Sequence, residues 1–306
     1  VLLFIGSVPN GRRVLRAAAE TLTPVVLELG GKDPLIVCDD ADMERAVHAA
    51  LGGTFINCGQ NCVASERILV HASKMAWFEG RIASHVNAMR QGASENGLVD
   101  VGAMITPLQL AHVEGLVARA VAEGARIVTG GKRQPGTHGW YYEPTVLSDL
   151  RPDMEIMREE MFGPVMLLCA FNSDEEAIEI ANNTAFGLSS SVFSRDGARA
   201  KRIADRVHAG MAAINDFGGM TYMAQELPFG GVKDSGFGRM NGAEGLRAFC
   251  TSKGVLVDRF PFGFPAKVFP ATEGNYDQTR NAVRLLYGAS LGERMKALGD
   301  LLKKPR

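Results

Sequence analysis

The fold is indicated by residues 1–31, VLLFIGSVPNGRRVLRAAAETLTPVVLELGG, in which apolar and amphipathic stretches alternate. Val1–Ile5 and Pro24–Leu29 have the apolar content typical of strands, and Arg12–Thr21 has the spacing of a helix. Because a strand–helix–strand crossover places its two strands parallel and adjacent, the stretch predicts a βαβ unit.

The same alternation continues to about residue 215. The clearest predicted elements are helices at Met43–Phe55 and Asp174–Asn182 and a strand at Val165–Phe171. The pattern also predicts a strand at Tyr141–Val146 and a helix at Ala198–His208. Strands that alternate with helices over such a length predict an α/β fold, an open and mostly parallel sheet with helices on both faces.

Composition excludes several classes of function. The 306 residues carry 33 Lys and Arg against 34 Asp and Glu, so bulk charge does not favour a nucleic-acid partner or an anionic membrane. No apolar run is long enough to predict a membrane-spanning helix. Five cysteines, an odd and sparse number, argue against a disulfide framework and favour a reducing, cytoplasmic setting.

Cys58 and Cys62 flank a polar turn, Gly59-Gln60-Asn61. Zinc sites usually have closer cysteine spacing and a second ligand pair, so we expect no metal here. Two interpretations of Cys62 remain open: a small buried residue, or a nucleophile whose thiolate is stabilised by backbone amides of the turn.

Glu28 follows an apolar strand and precedes Gly30-Gly31. Open α/β sheets place their chemistry at the carboxyl ends of strands, and partial burial there would raise the pKa of a carboxyl toward that of a general base. A structural role, such as a cap or an ion pair with Lys32, is equally compatible with this position.

Taken together, these segments resemble the aldehyde dehydrogenase superfamily. Leu27–Pro34 resembles its glutamate signature, Gly59–Ala64 resembles its cysteine signature, and the spacing between Glu28 and Cys62 fits the family. Three further resemblances, to a Phe-x-Gly-Ser turn, a Glu-Glu-x-Phe-Gly-Pro motif and the C-terminal signature, lie at Phe4–Ser7, Glu159–Val165 and Pro228–Arg239. The resemblance covers residues 1 to about 258, and it implies that residues 1–30 are the last βαβ piece of a Rossmann-like cofactor domain.

The resemblance implies oxidation of an aldehyde to a carboxylic acid with NAD or NADP. Cys62 would attack the aldehyde, and its backbone N–H would contribute to the oxyanion hole. Glu28 would activate the water that hydrolyses the resulting thioester. Asn215 would lie near the substrate tunnel. The residues implied to bind the cofactor are Gly6, Ser7, Leu29, Gly30, Glu160 and Phe162.

The sequence also departs from the family pattern. It begins within a strand, which predicts a fragment that lacks the upstream half with its asparagine oxyanion donor and ribose-binding lysine. We therefore expect the 306-residue chain to bind NAD poorly and to turn over little. Met240 stands where many members carry glutamate, and the sequence beyond Asp258 resembles a long-tailed branch.

The predicted organisation is a remnant of the dinucleotide-binding domain at 1–30, a catalytic domain at 31–240, an oligomerisation segment at 241–258 and a tail at 259–306. Within the segment, Thr251–Val257 is a candidate strand for pairing with a second copy, which implies a homodimer or homotetramer. The tail is predicted to contain an extended arm, Arg259–Pro270, and a helix, Gly288–Lys304, that packs on the protein and not on a membrane.

Two other functions remain as alternatives. One is a CoA-acylating or thiol-esterase relative that uses the same cysteine without water activation, and Glu28 argues against it. The other is a non-enzymatic remnant that acts as an interaction module. The presence of both Cys62 and Glu28 argues against it, and the missing upstream half argues for it.

Overall fold

The computed structural model describes residues 1–93, 97–134, 139–257 and 269–302. The chain divides into two compact units, Val1–Thr251 and Ser252–Arg306. The finer boundaries expected at residues 30, 240 and 258 stay predictions.

Within the described residues, the first unit contains ten strands and eight helices. The strands are β1 (Leu2–Ile5), β2 (Val25–Glu28), β3 (Asp33–Val37), β4 (Ser65–His71), β5 (Arg126–Thr129), β6 (Thr145–Ser148), β7 (Val165–Phe171), β8 (Ser191–Phe193), β9 (Ala213–Ile214) and β10 (Gly236–Phe237). The helices are α1 (Val8–Ala19), α2 (Met43–Phe55), α3 (Ala72–Asn87), α4 (Pro107–Ala122), α5 (Asp174–Asn182), α6 (Gly197–Ala204), α7 (Met220–Met223) and α8 (Gly242–Ala248). The second unit contains α9 (Glu273–Tyr287) and α10 (Leu291–Leu302).

The strands form two sheets. A seven-stranded sheet has the order β5-β6-β7-β4-β3-β8-β9, and every neighbouring pair in it is parallel except β5 with β6. A three-stranded sheet has the order β1-β2-β10, with β1 parallel and β10 antiparallel to β2. The predicted α/β class with a mostly parallel open sheet is confirmed.

The core lies around the centre of the large sheet. All five residues of β3 are buried, as expected for a parallel strand covered on both faces. Short polar side chains fix the helix starts nearby: Asp42 accepts from Arg45 N at 3.1 Å at the start of α2, and Ser173 caps α5 in the same way.

Several predicted boundaries were wrong. Helix α1 begins at Val8 and not at Arg12, because Pro9 favours the first turn of a helix and does not interrupt it. Strand β6 begins at Thr145 and not at Tyr141. Helix α6 ends at Ala204 and not at His208.

The tail differs more from the sequence-based picture. Helix α9 was not predicted, since its exposed surface mixes apolar and polar side chains. Residues 251–257 form neither helix nor strand and are exposed, and most of the predicted arm, Arg259–Pro270, lies outside the described residues. No helix in the described ranges is both long and apolar enough to cross a membrane.

Candidate active site

Glu28 lies at the end of the central strand of the small sheet, two residues before Gly30-Gly31. It is the last residue of β2, it pairs with Gly236 of β10, and its carbonyl accepts from Gly6 N at 3.1 Å. The side chain is 3% exposed, and among the described residues its Oε1 atom has no hydrogen-bond partner. A buried carboxyl oxygen without a partner is unusual in a native structure and indicates a functional position.

The turn before Cys62 has an uncommon backbone. Asn57, Cys58 and Gly59 have φ values of 55°, 59° and 66°, three consecutive left-handed residues immediately after α2. For a residue with a side chain this conformation costs roughly 1–2 kcal/mol. Asn57 Nδ2 donates to Gln60 O at 2.9 Å, which helps to hold the turn.

Gly59 has no space for a side chain, because an added Cβ would collide with the carbonyl oxygen of Gly163. The turn therefore lies directly against the loop that carries Phe162 and Gly163. This contact places the predicted cysteine and cofactor motifs side by side.

Cys62 is partly buried and lies beside the Glu28 carboxyl, and its Sγ donates to Asn61 Oδ1 at 3.7 Å. Burial, and then the charge of Glu28, raise the pKa of Cys62 above the usual thiol range. Burial likewise raises the pKa of Glu28, while the neighbouring Cys62 thiol lowers it. Burial therefore outweighs any stabilisation of a Cys62 thiolate by the backbone amides of the turn, and the resting form of Cys62 is a thiol.

The other side of Cys62 is apolar. Cys62 and Met240 pack against a cluster of Val63, Leu188, Met211 and Phe229. Met240 therefore adds hydrophobic surface at the position where many aldehyde dehydrogenases carry glutamate.

The backbone N–H of Cys62 is available to a ligand. In the described part of the chain it donates to no protein acceptor, whereas Val63 N and Ala64 N donate to the side chain and carbonyl of Asn61 at 3.3 and 3.1 Å.

Gly30 and Gly31 lie between two parts of the site. An added Cβ would collide with the Glu160 carboxylate at Gly30 and with the Cys62 carbonyl at Gly31. Gly31 N donates to Glu160 Oε1 at 3.0 Å, which fixes the carboxylate over the turn. Burial, and then the charge of Glu66, raise the pKa of Glu160 to about 7.

Lys32 forms an ion pair with Glu66, with 2.5 Å between Nζ and Oε2, and both side chains are buried. The possible pairing of Lys32 with Glu28 was wrong, because Lys32 is engaged by Glu66. The Glu66 carboxylate also accepts from Met161 N at 3.0 Å and from Phe162 N at 2.9 Å. The ion pair therefore holds the segment that carries Glu160 and Phe162.

Arg67, the next residue of β4, is fully buried. Its guanidinium donates to Lys32 O at 2.9 Å and to two carbonyls in the last turn of α5, those of Ile180 and Ala181, at 2.8 Å each. A cation at the C-terminal end of a helix interacts favourably with the helix dipole, and its N–H groups satisfy carbonyls that the helix leaves unpaired. Burial lowers the pKa of Arg67 to about 10.

The remaining predicted cofactor residues lie around α1. Ser7 is the N-cap residue of α1, its hydroxyl makes no capping hydrogen bond, and the first turn contains no acidic residue. Leu29 N donates to Ser235 O at 3.1 Å, and Ser235 Oγ donates to Gly30 O at 2.6 Å. Ser235 thereby secures the segment between Glu28 and Gly31.

Asn215 lies at the end of β9 with a φ of 55°. Its Oδ1 accepts from Ser194 N at 3.1 Å and its Nδ2 donates to Ser194 O at 3.0 Å. The amide holds the end of β8, and its contact with a substrate stays a prediction.

Sequence reasoning missed Asp33, Glu66 and Arg67. All three are charged residues at or near the start of apolar strands. This position was the available signal, because a charged side chain in a strand that is buried on both faces requires a partner. Asp33, for example, accepts from both Ser189 N, at 3.1 Å, and Ser189 Oγ.

Comparisons with known proteins identify the family to which the chain belongs. A family model described as the aldehyde dehydrogenase family matches residues 1–255, and the chain belongs to that family. An aldehyde dehydrogenase-like protein of Schizosaccharomyces pombe is 40% identical over 297 residues, covering 94% of this chain and 56% of that protein.

A betaine aldehyde dehydrogenase of Cereibacter sphaeroides is 42% identical over 260 residues, covering 85% of this chain and 53% of that protein. Among solved structures, a betaine aldehyde dehydrogenase variant of Staphylococcus aureus in complex with NAD+ has a TM-score of 0.78 at 38% identity, covering 85% of this chain and 54% of that one. The chain spans about half the length of the curated relatives it matches.

Proposed function

We propose that this chain carries the cysteine–glutamate half of an NAD(P)-dependent aldehyde dehydrogenase. The observation that supports this most is the pair formed by Cys62 and Glu28. A partly buried thiol at the edge of an apolar cluster lies beside a buried carboxyl, and one oxygen of that carboxyl has no hydrogen-bond partner among the described residues.

In the proposed reaction, Cys62 releases its thiol proton to solvent water, and Sγ bonds to the aldehyde carbon while the carbonyl π bond breaks, giving a thiohemiacetal oxyanion. The free N–H of Cys62 donates to the oxygen that becomes negative. The nicotinamide cofactor, when bound, supplies the hydride acceptor that leaves a thioester on Cys62. Glu28 then takes a proton from water, the hydroxide bonds to the acyl carbon, and the C–S bond breaks to release the carboxylic acid and the thiolate.

The residues present fit a nicotinamide cofactor. The start of α1 offers the Ser7 hydroxyl and free backbone N–H groups without a competing acidic residue, a combination that suits a phosphate. Glu160 presents a carboxylate, an acceptor for ribose hydroxyls, and the Lys32–Glu66 ion pair holds it and Phe162 in place. Gly6, Leu29 and Gly30 complete the proposed cofactor residues.

The first test measures whether Cys62 is the acylated residue. We would expose the 306-residue chain to 4-nitrophenyl acetate and follow acetylation by intact mass and peptide mapping, with Cys250→Ser as the matched control. Peptide mapping should find the acetyl group on Cys62 in the parent and in Cys250→Ser, and Cys62→Ser should lose acetylation of that peptide. A Cys62 that stays unmodified in Cys250→Ser would contradict the assignment of the nucleophile.

A second test follows NADH formation from an aldehyde and NAD+. Because the chain spans about half of its relatives, we propose that its own turnover is weak, and the assay therefore includes a chain that also carries the upstream half. Cys62→Ser should abolish NADH formation in that longer chain. A stable acyl-enzyme that needs CoA for release would instead favour an acylating enzyme.

We also propose that the protein forms a homodimer or homotetramer and that it works in the cytoplasm. Val255, Leu256 and Val257 are 73%, 99% and 67% exposed, an apolar segment that pairing with a second copy would cover. The free cysteines are compatible with a reducing compartment. Leu256→Lys should reduce the mass measured by light scattering, and an unchanged mass would argue against this segment as the interface.

A further inference from the structure

A cluster of potential metal ligands lies between α2 and α3, separate from Cys62. It consists of Glu44, His48 and His85, each of which offers one ligand atom, and these atoms lie within 4.8 Å of one another. Glu44 and His48 are four residues apart on α2 and therefore share one face of that helix, while His85 comes from α3.

The two imidazoles already face each other. The rings of His48 and His85 are in an edge-to-face arrangement with centroids 5.3 Å apart. His85 Nε2 is buried and, among the described residues, has no hydrogen-bond partner. A buried nitrogen without a partner requires an explanation such as a bound ion or water, and this nitrogen belongs to the most common metal-ligating side chain.

The third ligand is oriented by a neighbour. Arg81 of α3 donates to both carboxylate oxygens of Glu44, each at 3.0 Å. A carboxylate offers about four lone-pair positions, so two remain for a cation. Such an outer partner fixes the orientation of a ligand in many metal sites.

We propose that Glu44, His48 and His85 form a site for a zinc-like divalent transition metal, with water as the fourth ligand. Two nitrogen donors and one carboxylate favour zinc over magnesium or calcium, which prefer oxygen ligands. A zinc ion bound at about 2.0–2.1 Å needs ligand atoms no more than about 4 Å apart. Rotation of the exposed His48 side chain would bring its ring nitrogen closer, while Glu44 keeps its contacts with Arg81.

An ion at this position would connect α2 to α3. Helix α2 ends immediately before the left-handed turn that leads to Cys62, so the site would fix the helix that positions this turn. The proposal does not depend on the proposed aldehyde dehydrogenase activity.

The test is a calorimetric titration of the 306-residue chain with zinc chloride. Cys62 and Cys250 are the cysteines that are not buried, so Cys62→Ser and Cys250→Ser are introduced first to remove competing thiols. We expect one zinc per chain, no binding of magnesium, and a higher melting temperature with zinc. Substituting cobalt should give the visible spectrum of a tetrahedral site.

His48→Ala and His85→Ala should each weaken zinc binding by at least about tenfold, since loss of even an outer partner costs about 10–100-fold in metal affinity. His208→Ala, at an exposed histidine elsewhere, is the matched control and should bind like the parent. His48 is exposed, so its variant tests the site even if His85→Ala does not fold. Absence of zinc binding, or equal binding by the parent and His48→Ala, would overturn the proposal.

Discussion

Glu28 and Glu66 are both buried carboxylates close to the same glycine turn, yet their surroundings are opposite. Glu66 is 2% exposed and is surrounded by the Lys32 ammonium and two backbone N–H groups. Glu28 is 3% exposed, and one of its oxygens has no hydrogen-bond partner in the described structure. Equal burial therefore does not mean an equal role.

The difference follows from the cost of burying charge. A buried carboxylate is tolerated structurally when a cation and hydrogen bonds replace the lost water, which is the situation of Glu66. Glu28 lacks that compensation, and burial raises its pKa toward the range in which it can accept and return a proton. Glu66 is thus a positioning residue, and Glu28 is the proposed general base.

The largest effect should come from Glu28→Gln. Without a group to accept the proton of water, release of the acetyl group from Cys62 should slow by about 10²–10⁴-fold, whereas the free energy of unfolding should not fall. Intact-mass time courses after acetylation measure the first quantity and urea denaturation the second. Glu20→Gln, at an exposed position, should leave both unchanged, and rapid deacetylation of Glu28→Gln would remove Glu28 from the mechanism.

Glu66→Gln should show the opposite pattern. It leaves the buried Lys32 ammonium without its counter-charge, which should lower the free energy of unfolding by about 3–5 kcal/mol. Urea denaturation measures this loss. Adding Lys32→Met to Glu66→Gln should recover much of it, because the buried charge is removed and the amide oxygen still accepts from the backbone. A loss under about 1 kcal/mol for Glu66→Gln alone would mean that the ion pair is not a structural support.

Glu160 lies between these two extremes and should make stability depend on pH. Its pKa is about 7 in the folded chain and about 4.3 in the unfolded chain. Between these two pH values the folded chain binds more protons than the unfolded chain, so the free energy of unfolding falls as pH rises. Glu160→Gln should remove this fall and add about 1–3 kcal/mol at pH 8. The exposed Glu159→Gln is the control, and identical pH profiles for Glu160→Gln and the parent would contradict the shift.

The smallest effect is expected outside both regions, at Leu22. This residue is 89% exposed in the turn after α1 and has a φ of 51°, a conformation that glycine adopts without strain. Leu22→Gly should raise the free energy of unfolding by about 0.5–1 kcal/mol and leave the acetylation and deacetylation of Cys62 unchanged. A decrease in stability would show that the strain is not present in solution.

Much of this arrangement followed from the sequence because it depends on local pattern. The βαβ start, the helix Met43–Phe55 and the strand Val165–Phe171 are set by periodicity, and the structure has the latter two at the predicted bounds. Glu28 and Cys62 were identified because glycine-rich turns follow or precede them.

The partners of the charged residues could not be predicted in the same way. Lys32 follows Glu28 closely in sequence, but its counter-ion is Glu66, which the pairing of β3 with β4 brings near. Similarly, the packing of Met240 beside Cys62 depends on a backbone bridge between Phe229 and Met240. Such contacts are set by the tertiary fold and leave no local signal.

The central claim is that Glu28 and Cys62 are electrostatically coupled, and the most direct test is the rate at which iodoacetamide alkylates Cys62 as a function of pH. Peptide mass spectrometry would follow this rate in the parent and in Glu28→Gln. Exposed Cys250 serves as the internal reference. Since burial and the Glu28 charge raise the pKa of Cys62, the parent midpoint should lie above the usual thiol value of about 8.5, and it should move downward when the charge is removed. A midpoint that does not move in Glu28→Gln would contradict the coupling of Cys62 and Glu28 on which the proposed mechanism depends.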